Sequence, residues 1–516
     1  GAAPDHQPRR PPPPWHSAMD APPSPDEAAD DGEPQSVQLS LAKQTLAMVC
    51  LTIFCLTAVH PLAKKSPYLS ESAIACMLGL LTGLVVLVSS SHPPSHLLSF
   101  NEASFFTYLL PPIIFNAGLN VDPSGFFRNF PRIFILGVFG TVVSFAIIAG
   151  GIRATWFHFI EDLSVHDCLA IGAIFAATDS VATLQVMKPE RNPLLYAVVF
   201  GEGVVNDATS IVLLRSIRSV AGGSYGEIAV NFGYLLTIST VLGVGVGLLS
   251  ALSLRNMPRP GRHAVEHEVG LLGLLAYLSY LLAETFELSG IIALFATGIT
   301  MSHYTIYNLQ DRAHVTTRHA FSTLSHISET VIFVFVGLDA CDGQKWGNTN
   351  GWQALGLFIT LLLLLVLSRA VMVLPSMLAA NHLFQRRLTL HEIGAVWWAG
   401  LMRGAVSVAL VYYQFTNFED RATSTTDATV TATTISVVIF STLVCGALSK
   451  PLLSFFLGDD GGFEGFNGAR HPPAAYTADT ELSGMMGPAG GESISGPLLI
   501  RSSSGNRLLE RTDSGR

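Results

Sequence analysis

Residues 200–210 read FGEGVVNDATS and place the acids Glu202 and Asp207 in the middle of a long apolar run. A carboxylate near the centre of a bilayer costs at least about 2.5 kcal/mol, so an acid at such a position indicates an ion pathway or a proton relay. Helical spacing puts Glu202 and Asn206 on one stripe and Gly203 and Asp207 on the next. Asp207 is therefore the first candidate for an ion-binding residue.

The composition of the chain is that of a membrane protein. Of its 516 residues, 49% are hydrophobic and 13% are charged, whereas a soluble domain carries about 25% charged residues. The mean hydropathy is +0.44. The net charge of −9 comes largely from acidic, Pro-rich ends, and the lack of a basic face argues against binding of nucleic acid. The six cysteines lie in or beside apolar segments without metal-ligand spacing, which predicts small buried hydrophobic residues.

Thirteen apolar segments are long enough, or nearly so, to cross a bilayer, and the number is twelve if the first lies at the interface. They lie at about 41–61, 73–90, 103–122, 133–152, 168–187, 194–216, 228–254, 267–283, 289–303, 320–340, 353–382, 391–413 and 431–449. We therefore predict an all-α polytopic membrane protein, embedded in lipid, with one transmembrane domain at 40–457. Residues 1–39 and 458–516 are rich in Pro, Gly, Ser and acidic residues, which predicts disordered ends.

The basic residues of the connections predict the orientation of the chain. Connections after odd-numbered segments carry most of the Lys and Arg residues, and basic connections stay in the cytosol. This bias places the C-terminal tail in the cytosol and the N-terminus on the opposite side. The basic residues assigned to even-numbered connections are Arg153, Arg215, Arg218, Lys345 and Arg421. The Ser-rich tail is either a plain linker or a regulatory segment that is phosphorylated and binds a partner protein.

A second acid lies at a matching depth in the fifth segment, which reads CLAIGAIFAATDSVATLQV. Small residues around Thr178 and Asp179 permit close helix approach or local unwinding. In transporters, broken helices expose carbonyls and hydroxyls as cation ligands near the midplane of the membrane. Asp179, Asp207 and the Thr178 carbonyl are therefore candidate oxygen ligands for a hard cation such as Na⁺. The alternative is that Asp179 forms a structural pair with a basic residue.

Two arginines lie equally deep, Arg369 in the eleventh segment and Arg403 in the twelfth. Neither is near enough to the end of its segment to reach water by extending its side chain, so each requires an acidic partner. Glu202 and Glu329 are the obvious intramembrane candidates. We predict the structural ion pairs Glu202–Arg369 and Glu329–Arg403, which leaves the two aspartates for the ion. Removing one member of a buried pair costs roughly 3–5 kcal/mol.

Two segments also carry residues that disrupt helices. Gly400 and Gly404 interrupt the twelfth segment, and interrupted segments at corresponding places in two halves of a chain indicate an inverted-repeat transporter site. The third segment contains Pro111 and Pro112, which must kink or break a helix, and then Asn116. An access funnel with an inhibitor or cation contact and a kinked packing helix are equally open interpretations of the third segment.

Five ordered segments resemble one protein family. They read FFTYLLPPIIFNAGL, GAIFAATDSVATLQV, LLYAVVFGEGVVNDATSIVLL, SETVIFVFVG and WWAGLMRGAVSVAL. Through them the chain is similar to the monovalent cation/proton antiporters of the sodium/proton exchanger family, in particular to the plant-type vacuolar Na⁺(K⁺)/H⁺ exchangers. The resemblance implies an NhaA-like antiporter fold of two inverted repeats with broken crossover helices. It also implies a core domain, a dimerisation domain, a homodimer and alternating access.

The resemblance also assigns roles to particular residues. It implies that cation and proton bind at Asp207, Asp179, Thr178 and Asn206, with Na⁺ or K⁺ held by the two aspartates. It implies that the buried charges of the core are Glu202, Arg369, Glu329 and Arg403. The inhibitor or access region, linked to amiloride sensitivity in animal relatives, corresponds to Phe105, Phe106, Tyr108, Leu109, Pro111, Pro112 and Asn116.

Two residues, Gly203 and Asn116, depart from the family pattern, and a third, Ser180, belongs to the likeness to the plant-type exchangers. Gly203 stands where many animal exchangers have Ser one turn before the Asp, so a hydroxyl ligand is absent there. Asn116 stands where some relatives have an acid. Ser180 follows Asp179 where animal exchangers often have Pro. The departures at Gly203 and Asn116 affect the expected coordination of the ion and the preference between Na⁺ and K⁺.

Competition between a proton and a cation at one buried carboxylate is sufficient for exchange. Burial disfavours the charged form of a carboxylate, so Asp207 can exchange H⁺ for Na⁺ or K⁺. Asn206 beside it cannot ionise, which is consistent with electroneutral exchange. In a cell with an acidic vacuole, protons that flow out of the vacuole would drive Na⁺ or K⁺ into it. The exchange would then sequester salt in that compartment.

Other function classes predict different features. No GxxxxGK[ST] phosphate loop is present in the sequence, which argues against ATP hydrolysis. We therefore expect a transporter rather than an enzyme, without a cofactor apart from the transported ions. The alternatives are a sodium-coupled solute symporter on a similar inverted-repeat fold, a cation channel, and a pH or salt sensor.

Overall fold

The computed structural model describes the helical part of the chain and many of its short turns. The described residues are 46, 48–59, 61–62, 69–89, 105–121, 123–156, 163–187, 192–220, 225–257, 264–341, 346, 349–383, 388–415 and 425–457. The predicted disordered segments at 1–39 and 458–516 lie outside them, as do many of the connections on which the predicted orientation depends.

Thirteen helical segments within the described residues stand where the thirteen apolar runs predict them. The helices are α1 (Met48–Val59), α2 (Glu71–Ser89), α3 (Leu110–Leu119), α4 (Pro123–Phe134), α5 (Thr141–Trp156), α6 (Val165–Ala176), α7 (Val181–Val186), α8 (Pro193–Ser219), α9 (Tyr225–Arg255), α10 (Ala264–Thr285), α11 (Gly290–Thr300), α12 (Asp311–Asp339), α13 (Gly351–Leu383), α14 (Leu390–Ala399), α15 (Ala405–Phe415), α16 (Thr425–Phe440) and α17 (Gly446–Leu457). Turns of π-helix precede α3 (Phe105–Leu109), join α4 to α5 (Ile135–Gly140) and join α16 to α17 (Ser441–Cys445).

Eight of these segments are long and apolar enough to cross a membrane. They are α2, α4 with α5, α8, α9, α10, α12, α13, and α16 with α17. The prediction of an all-α polytopic membrane protein is confirmed for the described part of the chain, where every regular element is a helix.

Several helices are longer than the apolar runs that predicted them. The run at 133–152 belongs to a helical segment that extends over 123–156. Arg153 therefore lies in the last turn of α5, and Arg215 and Arg218 lie near the end of α8. The assignment of these three residues to connections was wrong, because α5 and α8 continue past Arg153 and Arg218 and because Arg215 already lies inside the apolar run at 194–216.

Two segments are interrupted in the same manner. Each begins with a capping box, in which a hydroxyl and a carboxylate three residues apart bind each other's backbone amides. Ser164 and Asp167 form the box that opens α6, and Thr389 and Glu392 form the box that opens α14. Each helix ends after a few turns, and the chain is non-helical at 177–180 and at 400–404 before α7 and α15 begin.

The two interruptions lie against each other. The backbone amide of Asp179 donates to the carbonyl of Met402 over 3.0 Å. The hydroxyl of Ser407 donates to the carbonyl of Ile174 over 3.2 Å, which joins the start of α15 to the end of α6. These hydrogen bonds satisfy backbone groups that the helix ends leave without intrahelical partners. We call the non-helical stretches 177–180 and 400–404 the crossed breaks.

Twelve of the helices fall into two groups by their contacts. α5, α6, α8, α13, α15 and α16 pack around the crossed breaks, whereas α2, α3, α9, α10, α11 and α12 pack mainly on one another. Close approach depends on small residues: a Cβ at Gly172 of α6 would lie 2.8 Å from the Cβ of Ala149 in α5. The polar residues singled out at 178–207 therefore lie in the first group.

Candidate cation site at the crossed breaks

Two carboxylates meet at the crossed breaks. Asp179 lies within the first break, and Asp207 lies in the middle of α8. The Asp207 carboxylate accepts a backbone hydrogen bond at Thr178, and its charged neighbours include Asp179 and Arg403. Both aspartates are only half-buried, although most residues around them are buried. The structure therefore brings together the two acids that the sequence assigned to the ion.

Asn206 connects three helical segments through its amide. Its Nδ2 donates to the hydroxyl of Thr178 over 3.0 Å. Its Oδ1 accepts from the hydroxyl of Thr141 in α5 over 2.9 Å and from the hydroxyl of Ser210 over 3.4 Å. Asn206 is 1% exposed. Its amide therefore holds α5, α8 and the first break in register.

The predicted pair of Glu202 and Arg369 is present in the structure. Arg369 Nη1 lies 2.5 Å from Glu202 Oε1, and Nη2 lies 3.4 Å from Oε2. Nη2 also donates to the carbonyl of Val396 over 3.2 Å. The side chains are 1% and 2% exposed. A Cβ at Gly400 would overlap the Arg369 guanidinium, so glycine at this position makes room for the pair.

The predicted pair of Glu329 and Arg403 is not formed, and this prediction was wrong. Arg403 lies within the second break, where its Nη1 donates to the carbonyls of Gly400 and Met402 over 2.8 and 3.0 Å. Glu329 instead accepts a hydrogen bond from Ser325 over 3.1 Å within α12. The break provides carbonyl acceptors beside the arginine, a source of partners that a search for acids does not consider.

Arg403 is held by the segment that follows the second break. Its backbone amide donates to the hydroxyl of Ser441, and this hydroxyl donates to the Arg403 carbonyl, both over 3.1 Å. The acids Asp207 and Glu202 lie in the electrostatic surroundings of its guanidinium. Arg403 is 0% exposed, so it contributes a buried positive charge to the carboxylate site.

Gly404 allows Asp179 to approach the second break. A Cβ at Gly404 would lie 2.5 Å from Asp179 Oδ2 and 2.8 Å from its Cβ. The glycines that interrupt the twelfth segment therefore act in two ways. They end a helix, and they make space for the Arg369 guanidinium and the Asp179 carboxylate.

The third segment adapts to its two prolines without a break. Pro111 and Pro112 lie in the first turn of α3, where proline is tolerated because the first amides have no intrahelical partner. The π-helical turn before them leaves carbonyls that the prolines cannot bind. Tyr280 of α10 donates to the Phe106 carbonyl over 2.7 Å, and Tyr277 donates to the Thr107 carbonyl over 3.3 Å. The predicted kink thus takes the form of a π-helical turn whose carbonyls are bound by a neighbouring helix.

The other residues of the candidate inhibitor region are spread over several environments. Phe105 is buried, whereas Tyr108 is exposed, and Phe106 and Leu109 are half-buried. Asn116 accepts a hydrogen bond from Asn120 Nδ2 over 2.6 Å in the same segment. The assignment of this region to inhibitor contact or ion access stays a prediction.

Sequence reasoning missed several buried polar residues, two of which build the site. Thr141 and Ser441 were not singled out, because a hydroxyl in an apolar helix gives no signal of its partner. Asp339 was also missed, although it is a buried acid in an apolar run and accepts a hydrogen bond from Tyr412. The starts of α6 and α14 could also have been found from the sequence. The stretches S-V-H-D and T-L-H-E at these positions match the capping-box pattern that marks the beginning of a helix.

The charges at the crossed breaks define what the site can bind. Glu202 is neutralised by Arg369 through the buried ion pair. With both aspartates ionised, the formal charges of Asp179, Asp207 and Arg403 sum to −1, since two are negative and one is positive. Carboxylate, hydroxyl and carbonyl oxygens suit a hard cation, as do the broken-helix sites of secondary transporters. A helical membrane protein with crossed, interrupted helices and acids at the crossing has the architecture of an inverted-repeat secondary transporter.

The comparison with known proteins specifies the family. Residues 49–455 match the family model described as "Sodium/hydrogen exchanger, transmembrane". The chain is 46% identical over 417 residues to sodium/hydrogen exchanger 3 of Arabidopsis thaliana. This alignment covers 78% of this chain and 82% of that protein. The chain is 44% identical over 420 residues to sodium/hydrogen exchanger 1 of Oryza sativa subsp. japonica, with 79% and 78% covered. The chain belongs to the sodium/hydrogen exchanger family, and its similarity to these relatives confirms the resemblance to plant-type exchangers.

A solved structure supports the assignment of the fold. The sodium proton antiporter MjNhaP1 from Methanocaldococcus jannaschii matches with a TM-score of 0.63 at 18% sequence identity. The match covers 82% of this chain and 100% of the other. At this level of identity the likeness concerns the fold, and the roles of the residues at the crossed breaks are argued from their geometry.

Proposed function

We propose that this chain exchanges Na⁺, K⁺ or both for H⁺ across an endomembrane, and that the exchange is electroneutral and passes through Asp207. The observation that carries the proposal is the grouping of Asp179, Asp207 and Arg403 at the crossed breaks, whose formal charges sum to −1 when both aspartates are ionised. One monovalent cation or one proton neutralises this charge, so the two loaded states carry the same total charge. If only neutralised states change orientation, each cation is exchanged for one proton.

Asn206 supports the same stoichiometry. Its amide cannot ionise, and its oxygen and nitrogen are already engaged with hydroxyl groups of three neighbours. It therefore holds the first break beside Asp207 without adding a second titratable charge on α8. Thr178 joins these residues through two hydrogen bonds. Its backbone binds the Asp207 carboxylate, and its hydroxyl accepts from the Asn206 amide.

Alternating access is assigned to a movement of the helices around the crossed breaks against the other group. The breaks and the buried Glu202–Arg369 pair lie within the first group, so they can move together. The Arg215–Glu284 pair instead joins α8 to α10 of the second group at 2.9 Å, so this contact must open or shift during the movement. A homodimer formed through the second group would provide the fixed frame. These assignments are part of the proposal, as are a vacuolar membrane, a cytosolic C-terminus and a regulatory partner of the tail.

The proposal is tested with the purified full chain in liposomes that carry an interior pH dye. An acid interior is imposed, the membrane potential is clamped, and Na⁺ or K⁺ is added outside to wild type and to Asp207→Asn. Cation-dependent alkalinisation of the interior is expected for wild type and not for Asp207→Asn. Glu227→Gln is the control, because Glu227 is an exposed acid in the first turn of α9.

Each outcome bears on a different part of the proposal. Wild-type exchange that persists in Asp207→Asn would move the site away from α8. A flux that changes with the clamped potential would contradict electroneutral exchange. Na⁺ uptake without proton movement would favour a symporter or a channel. The ratio of the responses to the two cations measures the preference between Na⁺ and K⁺.

A further inference from the structure

Ser180 carries a hydroxyl that the crossed breaks do not use. It is the last residue of the first break, directly after Asp179, and is 7% exposed. Its side chain does not cap α7, the helix that follows. Among the residues that the structure describes, its hydroxyl has no hydrogen-bond partner. The hydroxyl oxygen of this largely buried residue is therefore available to a ligand beside the two carboxylates.

The hydroxyl of Ser180 lies directly over the backbone of α8 at Gly203. A Cβ built at Gly203 would overlap Ser180 Oγ and would lie 3.3 Å from Ser180 Cβ. Any side chain at 203 would therefore displace the serine. Gly203 stands one helical turn before Asp207, and side chains at that spacing lie about 5–6 Å apart at their Cβ atoms. The oxygen of Ser180 thus occupies the place that a side chain at 203 would take, on the stripe of α8 that carries Asp207.

We propose that the Ser180 hydroxyl is an oxygen ligand of the transported cation and sets the affinity for it. This inference rests on the proposed function, because it adds a ligand to the site formed by Asp179 and Asp207. The hydroxyl has its oxygen available on the Asp207 stripe, and a hard cation between the carboxylates provides the partner that the protein does not. The pair of Ser180 and Gly203 acts as a unit, in which the first break supplies the oxygen and the glycine makes room for it.

A neutral ligand has a characteristic effect when it is removed. Ser180 carries no charge, so its loss leaves the charge count of the site unchanged. We therefore expect the affinity for the cation to fall while the coupling to protons persists. Loss of an interaction with a charged group corresponds to about a ten- to hundredfold change in affinity.

Cation binding to the full-length protein in detergent provides the primary test. Sodium chloride and potassium chloride are titrated at constant pH against choline chloride, and the rise in melting temperature gives an apparent dissociation constant. Ser180→Ala is expected to require about ten- to hundredfold more cation for the same stabilisation. Ser216→Ala is the matched control, since Ser216 is a buried serine of α8 with an unpartnered hydroxyl and lies about 13 Å from Asp207 along the helix.

A second variant moves the hydroxyl to the other side of the contact. In the double variant of Ser180→Gly and Gly203→Ser, the hydroxyl is removed from the first break and a hydroxyl is added on α8 instead. The glycine at 180 removes the side chain that a Cβ at 203 would overlap. This double variant is expected to recover most of the affinity that Ser180→Ala and Ser180→Gly lose. Recovery would identify the position of the oxygen, rather than the packing of Ser180, as the feature that matters.

The outcomes separate this inference from the proposed function. Wild-type affinity in Ser180→Ala overturns the inference, and so does a lower melting temperature in choline with unchanged affinity, which would indicate packing alone. If wild type binds the cation but shows no exchange in liposomes, the proposed function fails while the ligand assignment stands on its binding data. If wild type binds no cation, both fail.

Discussion

The Glu202–Arg369 pair allows a quantitative test of how this membrane protein holds its core together. Both side chains are almost fully buried, at 2% and 1% exposed, and their closest atoms lie 2.5 Å apart. Removing one member of such a pair leaves an uncompensated buried charge, which costs about 3–5 kcal/mol. Since 1.4 kcal/mol is tenfold in an equilibrium constant, Glu202→Gln or Arg369→Met is expected to raise the unfolded fraction by about two to nearly four orders of magnitude.

Replacing both partners is expected to cost less than the sum of the two single changes. An apolar pair of similar volume is often as stable as a buried ion pair, because the desolvation cost of both charges disappears. The Val396 carbonyl, which accepts from Arg369, would still lose its donor, so complete recovery is not expected. The variants are Glu202→Gln, Arg369→Met and Glu202→Leu with Arg369→Met.

The assay is thermal and denaturant unfolding of the full chain in detergent, followed by the fraction that remains monodisperse. Glu227→Gln serves as the control, because Glu227 is exposed and a surface change is usually within about 0.5 kcal/mol. Single variants that each lose less than about 1 kcal/mol would refute the buried-pair reasoning. A double variant at the sum of the single effects would refute the coupling between the two residues.

Three further predictions follow from contacts in the same structure. Gly400→Ala is expected to lower stability and transport together because its Cβ would overlap the guanidinium of the buried pair, while Gly150→Ala, where a Cβ meets nothing within 4 Å, should be neutral in the same unfolding and flux assays. Asn206→Asp adds a negative charge to the site, so proton flux should become sensitive to the clamped membrane potential, and insensitivity would contradict the charge count. Tyr280→Phe leaves the Phe106 carbonyl without its 2.7 Å donor, and should destabilise the protein by about 1–3 kcal/mol. Tyr277→Phe, which loses a 3.3 Å contact, should cost less in the same unfolding measurement.

The helical segments were predictable because the signal is local. A run of apolar residues long enough to cross a bilayer must form a helix, since lipid offers no partner for backbone amides and carbonyls. The thirteen runs therefore predicted thirteen helical segments, and the structure places helices at each of them. Their ends were less predictable, because α4 and α12 begin in polar sequence before the apolar run starts.

The residues of the site were predictable as types but not as partners. Acids and arginines in apolar runs are expensive, so Asp179, Asp207, Glu202, Arg369 and Arg403 were identified from the sequence alone. The assignment of Glu202 to Arg369 was correct because few partners were available. The assignment of an acid to Arg403 failed, because the second break supplies carbonyls in its place.

The sequence by itself determined that this is a helical membrane protein of the exchanger family, with buried acids at two interrupted segments. Apolar length, helix-breaking residues and charges in apolar runs are properties of each segment, and they can be read without knowing its neighbours. The tertiary structure alone decided that Asp179 meets Met402, that Asn206 binds Thr141 and that Ser180 lies over Gly203. These contacts join residues far apart in the chain, and their geometry depends on how the two breaks cross, which no single segment encodes.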